Sequence, residues 1–327
     1  MAKIINNLKD KSSAGHDLIS PKLLKLCVNE LTPIITKLIN KAILENIYPD
    51  ILKIAKVLPI YKSGDKTILN NYRPISILIS INKIFEKILY AQLINHIEKN
   101  KIMYKHQYGS RKHHNTTHAL ISSYDYIIKQ INNNKFVMGL FIDLRKAFDS
   151  INHSILINKL TYYGINGPFL NILRDYLKNR KIFTQIGSIS SEMLPISYGV
   201  PQGSVLGPIL FILFINDIQY LTDNELKLFA DDTNMFIQDK SLVLLQQKAN
   251  DSLHRLNIWL INNELSLNSE KTHYLIFSKD EEAVNNMQLN ITIGNNQIGR
   301  QQNTKFLGLH IQDNLSWDLQ VNDVTKK

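Results

Sequence analysis

Cysteine is almost missing from this chain of 327 residues: it has one, Cys27, so an internal disulfide framework is excluded. Set in an apolar helical pattern, Cys27 reads as a core residue rather than a nucleophile. No Cys/His cluster has zinc-ligand spacing, and the adjacent His113 and His114 read as loop residues. There is no Gly-x4-Gly-Lys-Ser/Thr loop, so any phosphoryl chemistry must rest on something other than a phosphate-cradling glycine turn. Long hydrophobic runs are missing as well. The longest, Ile209 to Ile215, falls far short of the ~18 residues that a membrane span requires. The opening M-A-K-I-I-N-N-L-K-D lacks the apolar centre of a signal peptide. These absences predict a soluble intracellular protein with no membrane partner, and leave nucleus and cytoplasm both open. Acidic residues are in deficit, 28 against 38 Lys plus Arg, for a net +10. That balance suits a polyanion, because Lys and Arg neutralising phosphates supply most sequence-independent affinity for nucleic acid. The length allows one large domain or a few subdomains around a substantial core.

What is present centres on Leu226 to Ile237, L-K-L-F-A-D-D-T-N-M-F-I. Two short apolar runs meet at adjacent aspartates, which predicts a β-hairpin with Asp231 and Asp232 at its tip. An isolated Asp-Asp is most often only a turn. A third carboxylate upstream changes that reading. Phe136 to Ile142 is almost continuously apolar, as in a strand covered on both faces, and Asp143 stands at its end. Two acids then converge from two strands, a donor set that suits Mg2+, which takes oxygen ligands and keeps room for phosphate and water.

Taken in order, F-I-D-L-R-K-A-F-D, then G-V-P-Q-G-S-V-L-G-P (Gly199 to Pro208), then F-A-D-D (Phe229 to Asp232) resemble the palm motifs of reverse transcriptases, in the version carried by non-LTR, LINE-type, jockey-like retrotransposons. The resemblance extends over nearly the whole chain. It implies an α/β (α+β) right-hand polymerase fold: a fingers region with an N-terminal extension over 1–135, a palm with an antiparallel sheet over 136–310, and a helical insertion at about 151–185. Residues 311–327 are expected to begin a thumb that is otherwise largely absent, with the reverse transcriptase domain at about 50–315. It implies RNA-directed DNA polymerase activity: an RNA template, a DNA primer, dNTPs, and two Mg2+ ions, with Mn2+ as a substitute. The oligomeric state is left open. Because the chain stops soon after the primer-grip turn, a remnant that holds nucleic acid without chemistry is a rival reading. A viral-type RNA-dependent RNA polymerase and a group II intron or telomerase-type enzyme are others.

The resemblance also assigns roles. Asp143, Asp231 and Asp232 would be metal ligands and catalytic residues, and Lys271 the general acid for the leaving pyrophosphate. Lys62 and Arg73, on a basic hairpin read as strand, tight Ser-Gly-Asp turn and return segment, would hold the triphosphate. Arg111, in Q-Y-G-S-R, would approach triphosphate or template backbone. Phe148 would lie under the sugar and exclude a 2′-hydroxyl, selecting deoxynucleotides and disfavouring the viral RNA polymerase reading. Gln202 and Gly203 would line the nucleotide and template side, and Phe306, Leu307 and Gly308 would form the primer grip. Asp149 reads as structural, a cap for the helix through Leu160. Lys178, Arg180 and Lys181 read as a solvated basic face. Near the start, S-S-A-G-H-D-L-I-S-P predicts a glycine-containing turn and then a helix with Pro21 in its first turn.

Overall fold

The computed structural model describes residues 1–10 and 14–326. Ser12 and Ser13, at the start of the expected opening turn, and Lys327, at the end of the expected thumb segment, lie outside the described residues. The chain forms two compact units, each made of two separated segments: residues 1–103 with 148–214, and residues 104–147 with 215–327.

In the first unit Pro21 opens the helix Pro21–Leu26, whose N-cap Ser20 accepts the Leu23 N–H. This is the position where a missing N–H costs nothing. Cys27 corrects its expectation. It sits at a break before the helix Val28–Glu45 with non-helical backbone, leaves the apolar stripe of Ile35, Ile39 and Ala42, and is exposed. The sheet of this unit pairs Ile54–Tyr61 antiparallel with Tyr72–Ile77 and parallel with Arg180–Ile186. The expected tight turn at Ser-Gly-Asp is instead a longer connection, residues 62–71. Asp65 organises it by accepting from the Thr67 N–H and hydroxyl, and a short turn at Leu69–Asn71 precedes the return strand. The helix Leu206–Phe214 buries every residue except Pro208.

Two further expectations fail here. Arg180 is not part of a solvated face: it is wholly buried, its guanidinium 4.8 Å from the ring centre of Tyr176 and donating to the Tyr176 carbonyl. Asp149 does not cap the next helix, His153–Tyr162; Asn152 does, accepting the Ser154 and Ile155 N–H groups.

The second unit is built on a five-stranded sheet in the order Gly299–Arg300, His273–Phe277, Phe136–Ile142, Asp232–Asp239, Glu225–Phe229. All neighbours are antiparallel except the outer pair formed by Gly299–Arg300. Phe136–Ile142 is central and buried from Val137 onward, which explains its unbroken apolar sequence. Phe141, Phe236, Leu275, Phe277 and Phe306 share one core with Ile127 and Ile131 of the helix Thr116–Asn132. Full burial of such side chains stabilises by about 2–3 kcal/mol each.

Candidate active site

The sheet register brings the carboxylates together. Ile142 pairs with Thr233 across antiparallel strands, the last pair of that ladder, and Asp143 follows directly while Asp232 opens the neighbouring strand, near enough for the Asp143 charge to act on Asp232. Asp231 joins them from the hairpin turn, where Phe229 pairs with Asp232 and only Ala230 and Asp231 remain in the loop. The crowding shows in the electrostatics of Asp232. Withdrawal of water around its carboxyl, then the charges of Asp231 and Asp143, push its pKa up to about 6.

Two segments hold this arrangement. Gln107, nearly fully buried, accepts the N–H groups of Gly109 and Ala230 on one side-chain oxygen, at 2.8 and 3.2 Å. The Tyr108 N–H donates to the Leu228 carbonyl, and the Leu228 N–H to the His106 carbonyl, so residues 106–108 run beside the first hairpin strand. Gly109 has to be glycine: a Cβ would stand 2.3 Å from the Ala230 nitrogen. Ala230 itself adopts φ +53°, a left-handed conformation that an L-residue enters at a cost of about 1–2 kcal/mol. On the other side, Asn268 donates from its side chain to Asp143 Oδ2 at 2.8 Å, and its N–H to the Asp143 carbonyl. Thr272 Oγ1 accepts the Asp143 N–H. Lys271 lies between these two tethers, exposed, its N–H donating to the Asn268 carbonyl.

Asn268, Thr272 and the buried role of Gln107 were missed from sequence. Gln107 and Gly109 were noted within a motif, but nothing local signals that they brace a turn more than a hundred residues away.

The remaining candidates divide between the units. Arg111 belongs with the catalytic hairpin's unit, where its guanidinium donates to the Tyr104 and Gln107 carbonyls. Phe306, Leu307 and Gly308 close a second hairpin there. Phe306 pairs with Leu309, and Leu307 and Gly308 both have positive φ, as a two-residue turn of this hand requires. Phe306 meets Phe141 edge-on at 5.9 Å, which fastens that hairpin to the strand carrying Asp143.

In the first unit Lys62 and Arg73 are exposed, the first just past the end of one strand and the second within its partner. Phe148 stacks on Phe211 at 4.4 Å, which fixes the plane of its ring. Gln202 donates from its side chain to both carboxylate oxygens of Asp149, and its carbonyl accepts the Ser76 N–H. Gly203, at φ +104°, approaches the Ser76 carbonyl so closely that a Cβ would meet it at 2.8 Å.

Three aspartates form an all-oxygen donor set of the kind that hard divalent cations take. The raised pKa of Asp232 marks negative charge that a cation would relieve. Among the described residues no group of three or more His, Cys, Asp or Glu side chains stands close enough together to hold a metal ion, the three aspartates included. No helix among the described residues is long and apolar enough to cross a membrane.

Residues 60–311 match the family model described as reverse transcriptase (RNA-dependent DNA polymerase). The chain is 26% identical to the RNA-directed DNA polymerase from mobile element jockey of Drosophila melanogaster, over 98% of this chain and 36% of that protein. It is also 26% identical to the probable RNA-directed DNA polymerase from transposon X-element of the same species, over 99% of this chain and 36% of that protein. The chain thus spans about a third of the length of these curated relatives. Among solved structures, apo telomerase from Candida tropicalis superposes with a TM-score of 0.53 at 13% identity, over 83% of this chain and 55% of that one. Telomerase from Candida albicans, in complex with a fragment of telomeric RNA, gives 0.50 at 14% identity, over 91% and 49%. At those identities the likeness speaks for the fold, a right-hand polymerase fold. With a family model covering most of its length, the chain belongs to the reverse transcriptase (RNA-dependent DNA polymerase) family.

Proposed function

We propose that this chain is the polymerising part of a jockey-like retrotransposon protein and performs RNA-templated DNA synthesis. In this reaction a primer 3′-hydroxyl attacks the α-phosphorus of a dNTP, a new phosphodiester bond forms, and pyrophosphate leaves. The observation that supports the reading is that Asp143 follows a strand whose last pair is Ile142 with Thr233, while Asp232 opens the neighbouring strand and Asp231 sits in the adjoining turn. These carboxylates would hold two Mg2+ ions, with Mn2+ able to substitute. Bound there, the ions supply positive charge to the attacking and departing oxygens. Asn268 fixes the Asp143 carboxylate by its 2.8 Å hydrogen bond, so that ligand needs little reorganisation. Lys271, anchored between Asn268 and Thr272, would give its proton to the leaving pyrophosphate.

The family resemblance extends the assignment within each unit. Lys62, Arg73 and Arg111 carry the positive charge that a triphosphate requires. Phe148, its ring held by Phe211, forms a rigid apolar floor suited to a deoxyribose and unsuited to a 2′-hydroxyl. Gln202 and Gly203 line the nucleotide and template side, and Phe306, Leu307 and Gly308 support the primer end. Fingers over 1–135 and palm over 136–310 remain the functional division we propose, with the contiguous bounds of the sequence reading.

The deciding experiment is extension of an oligo(dT) primer on an RNA template with Mg2+ and dNTPs, comparing wild type with Asp231→Asn/Asp232→Asn at equal, verified folding. Extension by wild type alone supports the proposal. Silence from both, with RNA–DNA binding retained, would make the chain a nucleic-acid-binding remnant.

A further inference from the structure

Behind the turn that bears Gln202 lies a charged cluster that the polymerase reading does not use. Glu86, on the helix Ser80–Lys99, has no exposure to solvent. One of its carboxylate oxygens accepts the Val205 N–H at 2.6 Å, and the other accepts the Tyr176 hydroxyl at 2.8 Å. Tyr176 and Arg180 are fully buried with it; burial pushes the Glu86 carboxyl up, and the Val205 N–H, the Tyr176 hydroxyl and then the Arg180 charge act against that rise. Val205 immediately precedes the helix Leu206–Phe214, so the carboxylate also faces the positive end of that helix's dipole.

A buried carboxyl group is an expensive way to fill a core: apolar side chains of the same volume usually do it as well or better. The atom this carboxylate grips is a backbone N–H, and its place in the chain is telling. Val205 is the last residue before the helix and follows Gln202, Gly203 and Ser204 directly. The turn is tied at its other points too. The Gln202 carbonyl takes the Ser76 N–H, the Gln202 side chain donates to Asp149, and Ser204 Oγ accepts the Gly207 N–H. The Gly199 and Val200 N–H groups donate to the Ile151 and Phe148 carbonyls. With the Glu86 bond in place, the backbone is held on both sides of Gln202, and the direction of its side chain is set by the fold rather than by the ligand.

We propose that Glu86, supported by Tyr176, is a positioning residue for nucleotide binding: by holding the Val205 N–H it fixes the Gln202–Gly203 turn in its binding conformation. The inference rests on the reading that Gln202 and Gly203 face the nucleotide. It predicts that loosening the tether weakens capture of the dNTP and leaves the chemical step, which belongs to the aspartates, little changed. The two acceptor oxygens also make the substitutions informative. Glu86→Gln keeps one oxygen for the Val205 N–H and turns an N–H2 toward the Tyr176 hydroxyl, which can rotate to accept it. Glu86→Ala offers neither.

The test uses the full chain and two readouts. In amide hydrogen exchange, Glu86→Ala should speed exchange across 203–207 by about tenfold, the equivalent of one hydrogen bond, while the strands Ile54–Tyr61 and Tyr72–Ile77 keep their protection. In steady-state primer extension it should raise KM for dNTP about tenfold with kcat within about threefold, and Glu86→Gln should recover most of both effects. Unchanged exchange and KM in Glu86→Ala overturn the proposal. So does a uniform loss of protection through the unit that Glu86→Gln fails to rescue, since that is a stability role alone. If wild type does not extend a primer at all while Glu86→Ala still releases 203–207, the polymerase reading has failed and the tether stands. If 203–207 exchanges freely in wild type, the tether itself is refuted.

Discussion

Replacing Asp232 by Asn should remove catalysis and at the same time stabilise the metal-free protein. In the folded chain the Asp232 carboxyl has a pKa near 6, against an ordinary value of 3.8, because surrounding protein displaces water and because Asp231 and Asp143 add negative charge. The sign follows from linkage. Below pH 3.8 the group is protonated in both folded and unfolded chains and costs nothing. As pH rises through 6 the folded protein must carry an unfavourable charge that the unfolded chain carries easily, so the stability present at low pH is lost. A shift of about two units would correspond to about 3 kcal/mol for a fully buried group. Asp232 is exposed to solvent, and screening reduces this to about 1 kcal/mol. Thermal or urea unfolding in EDTA at pH 7.5 should therefore show Asp232→Asn more stable than wild type by about that amount. The gap should close by pH 4, and Mg2+ should raise the stability of wild type at pH 7.5 and do little for the variant. An Asn variant as stable as wild type, or less stable, at pH 7.5 without metal would refute the claim that the three carboxylates repel one another in the folded state.

Other perturbations separate the parts of the site. Asp143→Asn should lower primer extension by about a hundredfold or more while circular dichroism and melting stay near wild type, since the loss is of transition-state charge stabilisation; retained activity with ordinary Mg2+ dependence would sink the assignment. Gln107→Leu leaves the Gly109 and Ala230 N–H groups without their acceptor, and should cost about 2 kcal/mol in urea unfolding after allowing for removal of the buried, unpartnered Gln107 Nε2. Phe148→Ala should reduce discrimination between dNTP and rNTP by about tenfold or more, read as the ratio of kcat/KM values; unchanged discrimination would mean the ring does not face the sugar.

The hairpin of Asp231 and Asp232 and the strand ending at Asp143 were legible because their signals are local. An apolar run of strand length followed by a carboxylate is the same pattern whether read from sequence or from a sheet. Pro21 at a helix start was legible for the same reason, being a backbone requirement of one residue. What escaped were contacts between residues far apart. Lys178, Arg180 and Lys181 look like a solvated basic face in sequence, yet Arg180 is buried beside Tyr176, under the influence of a carboxylate more than ninety positions earlier. Cys27 looked like core because its neighbours are apolar, and only the helix break at that residue turns it outward. The two units are discontinuous, so no composition change marks where one gives way to the other.

These failures share a physical cause with the function. A hairpin tip with adjacent carboxylates near a third breaks local rules: like charges act on one another, and an alanine takes a left-handed conformation in the turn. Sequence propensities locate such a turn but do not show what holds it in this conformation. It persists because distant groups over-determine it: the Gln107 oxygen on the turn's N–H, Gly109 filling the space beneath it, and Asn268 on Asp143. The least legible residues are thus the ones that keep the strained site in shape, and consistency between local preference and fold is lost where charge must be held ready for a cation. The same reasoning places Glu86 among them. A carboxylate buried at the N-terminus of an apolar helix is unfavourable for the core, and its contact with Val205 gives it a use in holding the turn that bears Gln202.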